Sequence, residues 1–207
     1  MDVPSKNTSR SLLNHDILDA RRSLLAAPHM IELTNYVKRL REKFGAPWEF
    51  PDFDPLDGGR DAELLFLMEK PGPMTSTKGE KGSGLISRDN NDPTAEAIFD
   101  FMNQARIPRE RTALWNTIPG WNGKIKIGKG ERQQGIEELP HLIALLPKVK
   151  GVVLVGRQAQ RAQSVITASN LMVFTSYHPS PKVRSINPHL WNAIPDRWAS
   201  AFRAIQA

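Results

Sequence analysis

The sequence predicts an α/β protein: a three-layer α/β/α sandwich around a central four-stranded, mainly parallel sheet. Three observations predict it. Four short apolar runs are bounded by turn-forming residues, at lengths that suit strands buried on both faces. Amphipathic helical segments separate these runs, and strands that alternate with helices pair in parallel. The chain of 207 residues, 40% hydrophobic and 24% charged, is long enough for one sizeable core and has an ordinary globular composition.

The elements follow in order, in a single domain spanning 1–207 whose first 58 residues form a helical segment and loop. Leu12, Leu13, Ile17, Leu18, Leu24 and Leu25 recur at helical spacing, as do Met30, Ile31, Leu33, Tyr36, Val37, Leu40 and Phe44. These sets predict two helices over 10–45. Residues 47–59 are rich in Pro, Asp and Gly and predict an ordered loop. Leu64-Leu65-Phe66-Leu67-Met68 is the first buried strand. A Gly-, Ser- and Lys-rich stretch over 71–92 predicts a long loop, and in a compact domain such a loop usually carries function. Asp92 and Pro93 then open a helix, Asp92 as its cap and Ile98, Phe99 and Met102 as its apolar face.

Thr112-Ala113-Leu114-Trp115 is the second strand. Residues 120–130 form a second polar loop, with Lys124, Lys126 and Lys129. Ile136, Leu139, Leu142, Leu145 and Leu146 mark a helix that Pro140 interrupts. Val152-Val153-Leu154-Val155 is the third strand, and Gly156 turns into a helix over 158–166. The fourth strand covers 171–177, and a last helix runs from Pro188 or Trp191 to Ile205.

Composition removes several function classes. Cysteine is absent, which excludes disulfides, thiolate metal sites, iron–sulfur clusters and thiol nucleophiles together. The five histidines, at 15, 29, 141, 178 and 189, show no close metal-ligand spacing. No apolar run approaches the length that spans a bilayer, and Met1-Asp2-Val3-Pro4-Ser5-Lys6 lacks an apolar signal core. The expectation is a monomeric protein of the cytosol or nucleoid, with no membrane, metal or cofactor. A formal charge of +6 favours an anionic partner, nucleic acid first and a membrane surface second.

Candidate chemistry lies at strand ends. In open parallel sheets, ligands bind beyond the carboxyl ends of the strands. There this chain places the turn Met68-Glu69-Lys70-Pro71-Gly72-Pro73, Asn116, Gly156-Arg157, and His178-Pro179-Ser180-Pro181. An asparagine amide offers a donor and an acceptor side by side, which suits the edge of a planar heterocycle. A histidine can donate to a carbonyl oxygen where negative charge builds. A carboxylate, Asp89 or Glu69, could position water or stabilise a cationic sugar. Structural alternatives stand beside each reading: a turn cap for Asn116, and surface ion pairs with Lys70 or Arg88 for Glu69 and Asp89. Gly79-Glu80-Lys81-Gly82-Ser83-Gly84 lies inside a loop, not between a strand and a helix, so it is no phosphate loop. Ser180 is flanked by prolines, unlike the serine of a nucleophile elbow.

These motifs, in this order and spacing, resemble those of the uracil-DNA glycosylase superfamily over roughly residues 60–205. Its members carry a Gly-x-x-Pro-like first motif, a central strand ending in Asn and a last strand ending in His-Pro-Ser-Pro. The resemblance implies hydrolytic excision of uracil from single- or double-stranded DNA, leaving an abasic site, by a cysteine-free branch. It implies that Asn116 pairs with the flipped base and His178 stabilises charge on the uracil carbonyl. Backbone amides near Glu69 and Lys70 would bind another carbonyl, with Pro71 and Gly72 forming the same turn. Ile86 or Leu85 stands where many relatives stack an aromatic, and Trp121 is a substitute from the other loop. Lys182, Val183 and Arg184, in the loop after His178, would enter the duplex, while Pro71, Ser180 and Pro181 grip phosphates.

Departures qualify the pattern. Many relatives place Asp or Asn just before the first-motif proline to orient water, and here Lys70 stands there. Glu69 matches the glutamate of a Gly-Glu-Ala-Pro-Gly version of that motif. Leu85-Ile86-Ser87-Arg88-Asp89 looks like a Phe-Thr-Gly-Asp-like stretch of another branch, which makes Asp89 the first candidate and Glu69 the second. The alternatives are a protein that binds uracil or abasic DNA with weak turnover, and a glycosylase for another deaminated base.

Overall fold

Six strands and eight α-helices make up the regular structure of the computed structural model, which describes residues 8–77 and 81–207. The N-terminal hexapeptide and the Gly79-Glu80 part of the glycine-rich run lie outside the described residues. The strands are β1 (Asp52–Phe53), β2 (Leu64–Met68), β3 (Leu85–Ile86), β4 (Thr112–Asn116), β5 (Gly151–Val155) and β6 (Met172–Ser176). The helices are α1 (His15–Ser23), α2 (Ile31–Phe44), α3 (Pro93–Gln104), α4 (Lys129–Ala144), α5 (Gln163–Ala168), α6 (Pro181–Ile186), α7 (Pro188–Asn192) and α8 (Ile194–Ala204).

The central sheet has the order β4-β2-β5-β6, and every pair in it is parallel. β2 and β5 are buried along nearly their whole length, as continuous apolar runs in a covered sheet must be. Strand parity sorts the layers. Phe66 meets Trp198 of α8 edge-on at 5.0 Å, and Phe101 of α3 packs on the same indole. Trp115 pairs in register with Leu67, so it faces the other way, where it meets Tyr36 of α2 and stacks on Phe53 at 3.8 Å. α3 and α8 therefore cover one face. β4→β5 and β5→β6 step across the sheet in the opposite sense to β2→β4, so right-handed crossovers carry α4 and α5 to the face of α2. This is the predicted three-layer sandwich.

Several local features differ from the sequence reading. β1 and β3 form a separate two-stranded parallel pair, joining two stretches read as loop. Pro140 does not interrupt α4, which runs unbroken from Lys129 to Ala144. The segment after His178 is helical: Ser180 caps α6 by accepting from the Val183 amide, and Pro181 takes its first turn. Met30, Leu33, Tyr36, Val37 and Leu40 belong to the main core, so α2 is part of the sandwich rather than an appendage. Among the described residues no helix is long and apolar enough to cross a membrane.

Candidate active site

A cleft of about 300 Å³ opens beyond the carboxyl ends of β2 and β4. β2 delivers Met68 and the turn that follows, and β4 delivers Asn116 beside Met68 in register. The ladder continues past both strands, with the Thr117 amide donating to the Met68 carbonyl at 2.8 Å and Ile118 to Glu69 at 2.9 Å. Asn116 is therefore held on rigid backbone. It is only 4% exposed, and its side-chain amide has no hydrogen-bond partner among the described residues, although it lines the cleft. Its amide atoms are not among the described side-chain polar atoms shut away from solvent without a partner, so they meet the cleft, and this donor–acceptor pair is available to a ligand.

His178 reaches the same cleft from two residues beyond β6. The indole of Trp198 donates to Ser176 Oγ at 2.8 Å, tying α8 to the end of that strand. Gly156, at the end of β5, makes room for the imidazole. Its φ is +87°, and a Cβ there would lie 3.1 Å from His178 Cβ. Burial holds the His178 pKa below the usual histidine value, with the Asp92 carboxylate pulling the other way. Burial thus favours the uncharged ring, which still carries one N–H.

Lys70, Pro71, Gly72 and Ile86 also line the cleft. Met68, Met74, Ile98 and Leu114 add aliphatic surface, Thr75, Ser87, Asn90 and Thr94 add polar side chains, and no Phe, Tyr or Trp is among the described residues lining the cleft. Trp121 does not reach it. That indole lies over Lys70 Nζ at 5.7 Å, with Trp48 at 5.4 Å. The Lys70 ammonium also donates to Asn122 Oδ1 at 2.8 Å and to the Lys124 carbonyl at 2.9 Å, and pairs with Glu131. The residue that departs from the expected pattern therefore anchors the 120–130 loop.

The two predicted carboxylates lie elsewhere. Asp89 is fully buried, with one oxygen bound to Arg21 at 3.0 Å and Arg109 at 2.8 Å. It belongs to a cluster of three arginines and three aspartates. Asp54 joins Arg21 and Arg109, and Asp57 joins Arg88 and Arg109. Asp89 thus pairs with Arg21 and Arg109, in place of the surface pair with Arg88 that the sequence suggested. Glu69 is half-buried outside the cleft lining, and that burial pushes its carboxyl pKa up against the nearby Arg132 and Lys70.

The carboxylate that does line the cleft is Asp92, the only one among the described lining residues. Its Oδ1 accepts from the Thr94 and Ala95 amides at 2.8 and 3.0 Å, capping α3. Its other oxygen makes no hydrogen bond or ion pair with the described residues. The sequence shows Asp92 as a helix cap and gives it no further role. The signal for a site role is its position, since the same carboxylate ends the long functional loop. The ionic cluster fixes that loop from below: Ser87 Oγ donates to Asp54 and accepts from the Asp89 amide. Asn90 Nδ2 donates to the Leu85 carbonyl at 2.9 Å.

Ser180, Pro181, Lys182, Val183 and Arg184 form the cap and first turns of α6, just beyond His178 and outside the cleft, with Lys182 and Arg184 exposed. Among the described residues no group of three or more His, Asp or Glu is arranged to hold a metal ion.

No family model matches this chain, and no curated protein matches it significantly. Solved structures do. A candidate uracil DNA glycosylase from Methanosarcina acetivorans is 18% identical, with TM-score 0.45, over 72% of this chain and 93% of that one. A mimivirus UNG variant in complex with UGI is 14% identical, with TM-score 0.43, over 85% of this chain and 72% of that one. Likeness at these identities and scores says nothing about what this chain acts on.

Proposed function

We propose that this protein is a monofunctional DNA glycosylase that flips uracil out of DNA and hydrolyses its N-glycosidic bond, leaving an abasic site. One observation carries the reading: an unpartnered Asn116 amide and His178 share a cleft with one carboxylate, Asp92, among the described lining residues, in a basic chain. The pair suits a planar base that offers a carbonyl beside an N–H. Asn116 Oδ1 accepts from the base N–H and Nδ2 donates to a carbonyl. Backbone amides near Glu69 and Lys70 meet the other carbonyl, and Pro71 and Gly72 keep that turn against the base. Ile86 packs on the base face where an aromatic is lacking.

As the bond to the sugar lengthens, its electron pair leaves with the base. His178 donates to the carbonyl oxygen on which that charge collects. Water bonds to C1′, and its proton passes to a carboxylate and then, through solvent, to the released base. Glu69 and Asp89 were the sequence candidates for that carboxylate. Asp92 replaces them in this reading, because it lines the cleft with one oxygen free of protein partners among the described residues, while Asp89 is neutralised by two arginines. Extrusion of the nucleotide costs about a few kcal/mol, met by phosphate contacts from Ser180, Pro181, Lys182 and Arg184, with Val183 against the vacated stack.

A panel of single-lesion oligonucleotides, single- and double-stranded, tests the reading. Free uracil and an alkali-labile abasic site are the expected products. Damage-dependent retention of DNA without base release would replace the enzyme with a binding protein, and release of a different base would change the substrate.

A further inference from the structure

The most solvent-exposed large apolar side chain among the described residues is Ile125, at 84%. It lies at the tip of the 120–130 loop, between Lys124 and Lys126, with Lys129 at the start of α4. All three lysines are exposed, and no acidic residue lies between Trp121 and Gly130. An isoleucine presented this way gains nothing from folding. The base of the loop is nevertheless firmly built. Trp121 bridges to Glu49 through paired backbone bonds of 2.8 Å, Asn122 donates to Glu131 at 2.6 Å, and Lys70 binds both Asn122 and the Lys124 carbonyl. Because Lys70 also lines the cleft, the loop is coupled to the cleft rim through one side chain.

We propose that this loop is a second DNA-contacting element: Ile125 enters the base stack of a duplex as an apolar wedge, while Lys124, Lys126 and Lys129 hold the flanking phosphates. Apolar wedges that part base steps are a general device of proteins that distort duplexes, and lysines placed on either side supply the charge that brings phosphates to the tip. Lys70 is the positioning residue that sets the wedge relative to the cleft. The inference rests on the DNA reading above, and it adds a duplex-specific surface on a different loop from the α6 segment.

The test uses the full chain and one defined uracil-containing sequence, as a duplex and as a single strand. Ile125→Ala is expected to lower single-turnover excision on the duplex by about tenfold or more and to leave the single strand unchanged. Replacing the three lysines by glutamine is expected to reduce the slope of log affinity against log salt by about 0.9 for each phosphate that is no longer neutralised. A 2-aminopurine beside the site should brighten with wild type and stay dim with Ile125→Ala. A duplex rate in Ile125→Ala equal to that of wild type, a loss of the same size on the single strand, or an unchanged salt slope would overturn the proposal. So would lysine-dependent binding to anionic phosphatidylserine vesicles with no effect on DNA. A chain that releases no base but still shows the lysine-dependent slope and the Ile125-dependent fluorescence would support the wedge and overturn the glycosylase reading.

Discussion

Gly156→Ala separates the placement of His178 from its chemistry. Gly156 stands at φ +87°, where an L side chain is strained, at roughly 1–2 kcal/mol. The added Cβ would lie 3.1 Å from His178 Cβ and 3.4 Å from its Cδ2, so the imidazole must yield by a few tenths of an ångström. The backbone bond from the Gly156 amide to the Ser176 carbonyl, 2.9 Å, survives the change, so the sheet ladder is kept. For a chain of this size about 1–2 kcal/mol lowers Tm by roughly 2–8 °C. A misplacement of about 1 Å can cost about 100-fold in rate, and this smaller one should cost about tenfold. The assay is single-turnover uracil release at a temperature where the variant is fully folded, alongside a thermal melt. A Tm loss of the expected size with an unchanged rate would refute the idea that Gly156 exists to seat a working His178.

Other predictions follow from the same geometry. Asp92→Asn should slow excision by about 100-fold or more with little change in DNA affinity. Because the Asp92 carboxylate raises the His178 pKa, the variant should also move the His178 titration, followed by NMR, to lower pH. Asp54→Asn strips two arginines of a buried partner and should cost about 3–5 kcal/mol in denaturant melts. Asp57→Asn should cost less, since burial already pushes the Asp57 pKa up to about 6 and one of its oxygens lacks a partner. An acid whose folded pKa lies above its unfolded value binds its proton more tightly when folded, so this group destabilises progressively as pH rises toward and through 6. Wild type should therefore gain from Asp57 between pH 7 and pH 5, and Asp57→Asn should lose that gain. Lys70→Met should loosen the 120–130 loop, seen as faster amide exchange there, with a larger loss of excision on duplex than on single strands.

The layers of the fold were legible because β2, β4 and β5 are short apolar runs that only a covered sheet explains, and because Asp92-Pro93 is unambiguous helix-start chemistry. Two-residue pairing of β1 with β3 carries no periodic signal at all. Pro140 misled because a proline can sit inside a continuous helix, here at an exposed position of α4, and the prolines around Ser180 read as stiff loop although Pro181 suits the first turn of a helix. In the site, Asn116 and His178 were visible as polar ends of apolar strands. The ionic cluster was not, since Arg21, Asp54, Asp57, Arg88, Asp89 and Arg109 come from distant segments and each alone reads as a solvated charge. That hidden cluster is what drew Asp89 away from the cleft and left Asp92 as the carboxylate facing it.

Everything proposed for the cleft depends on Asn116 and His178 acting together on one base. Single-turnover release of uracil from one defined oligonucleotide, by wild type, Asn116→Ala and His178→Ala, examines that dependence without intermediaries. Excision by wild type and a loss of about 100-fold or more in each variant are expected. Full excision by both variants would contradict the joint role.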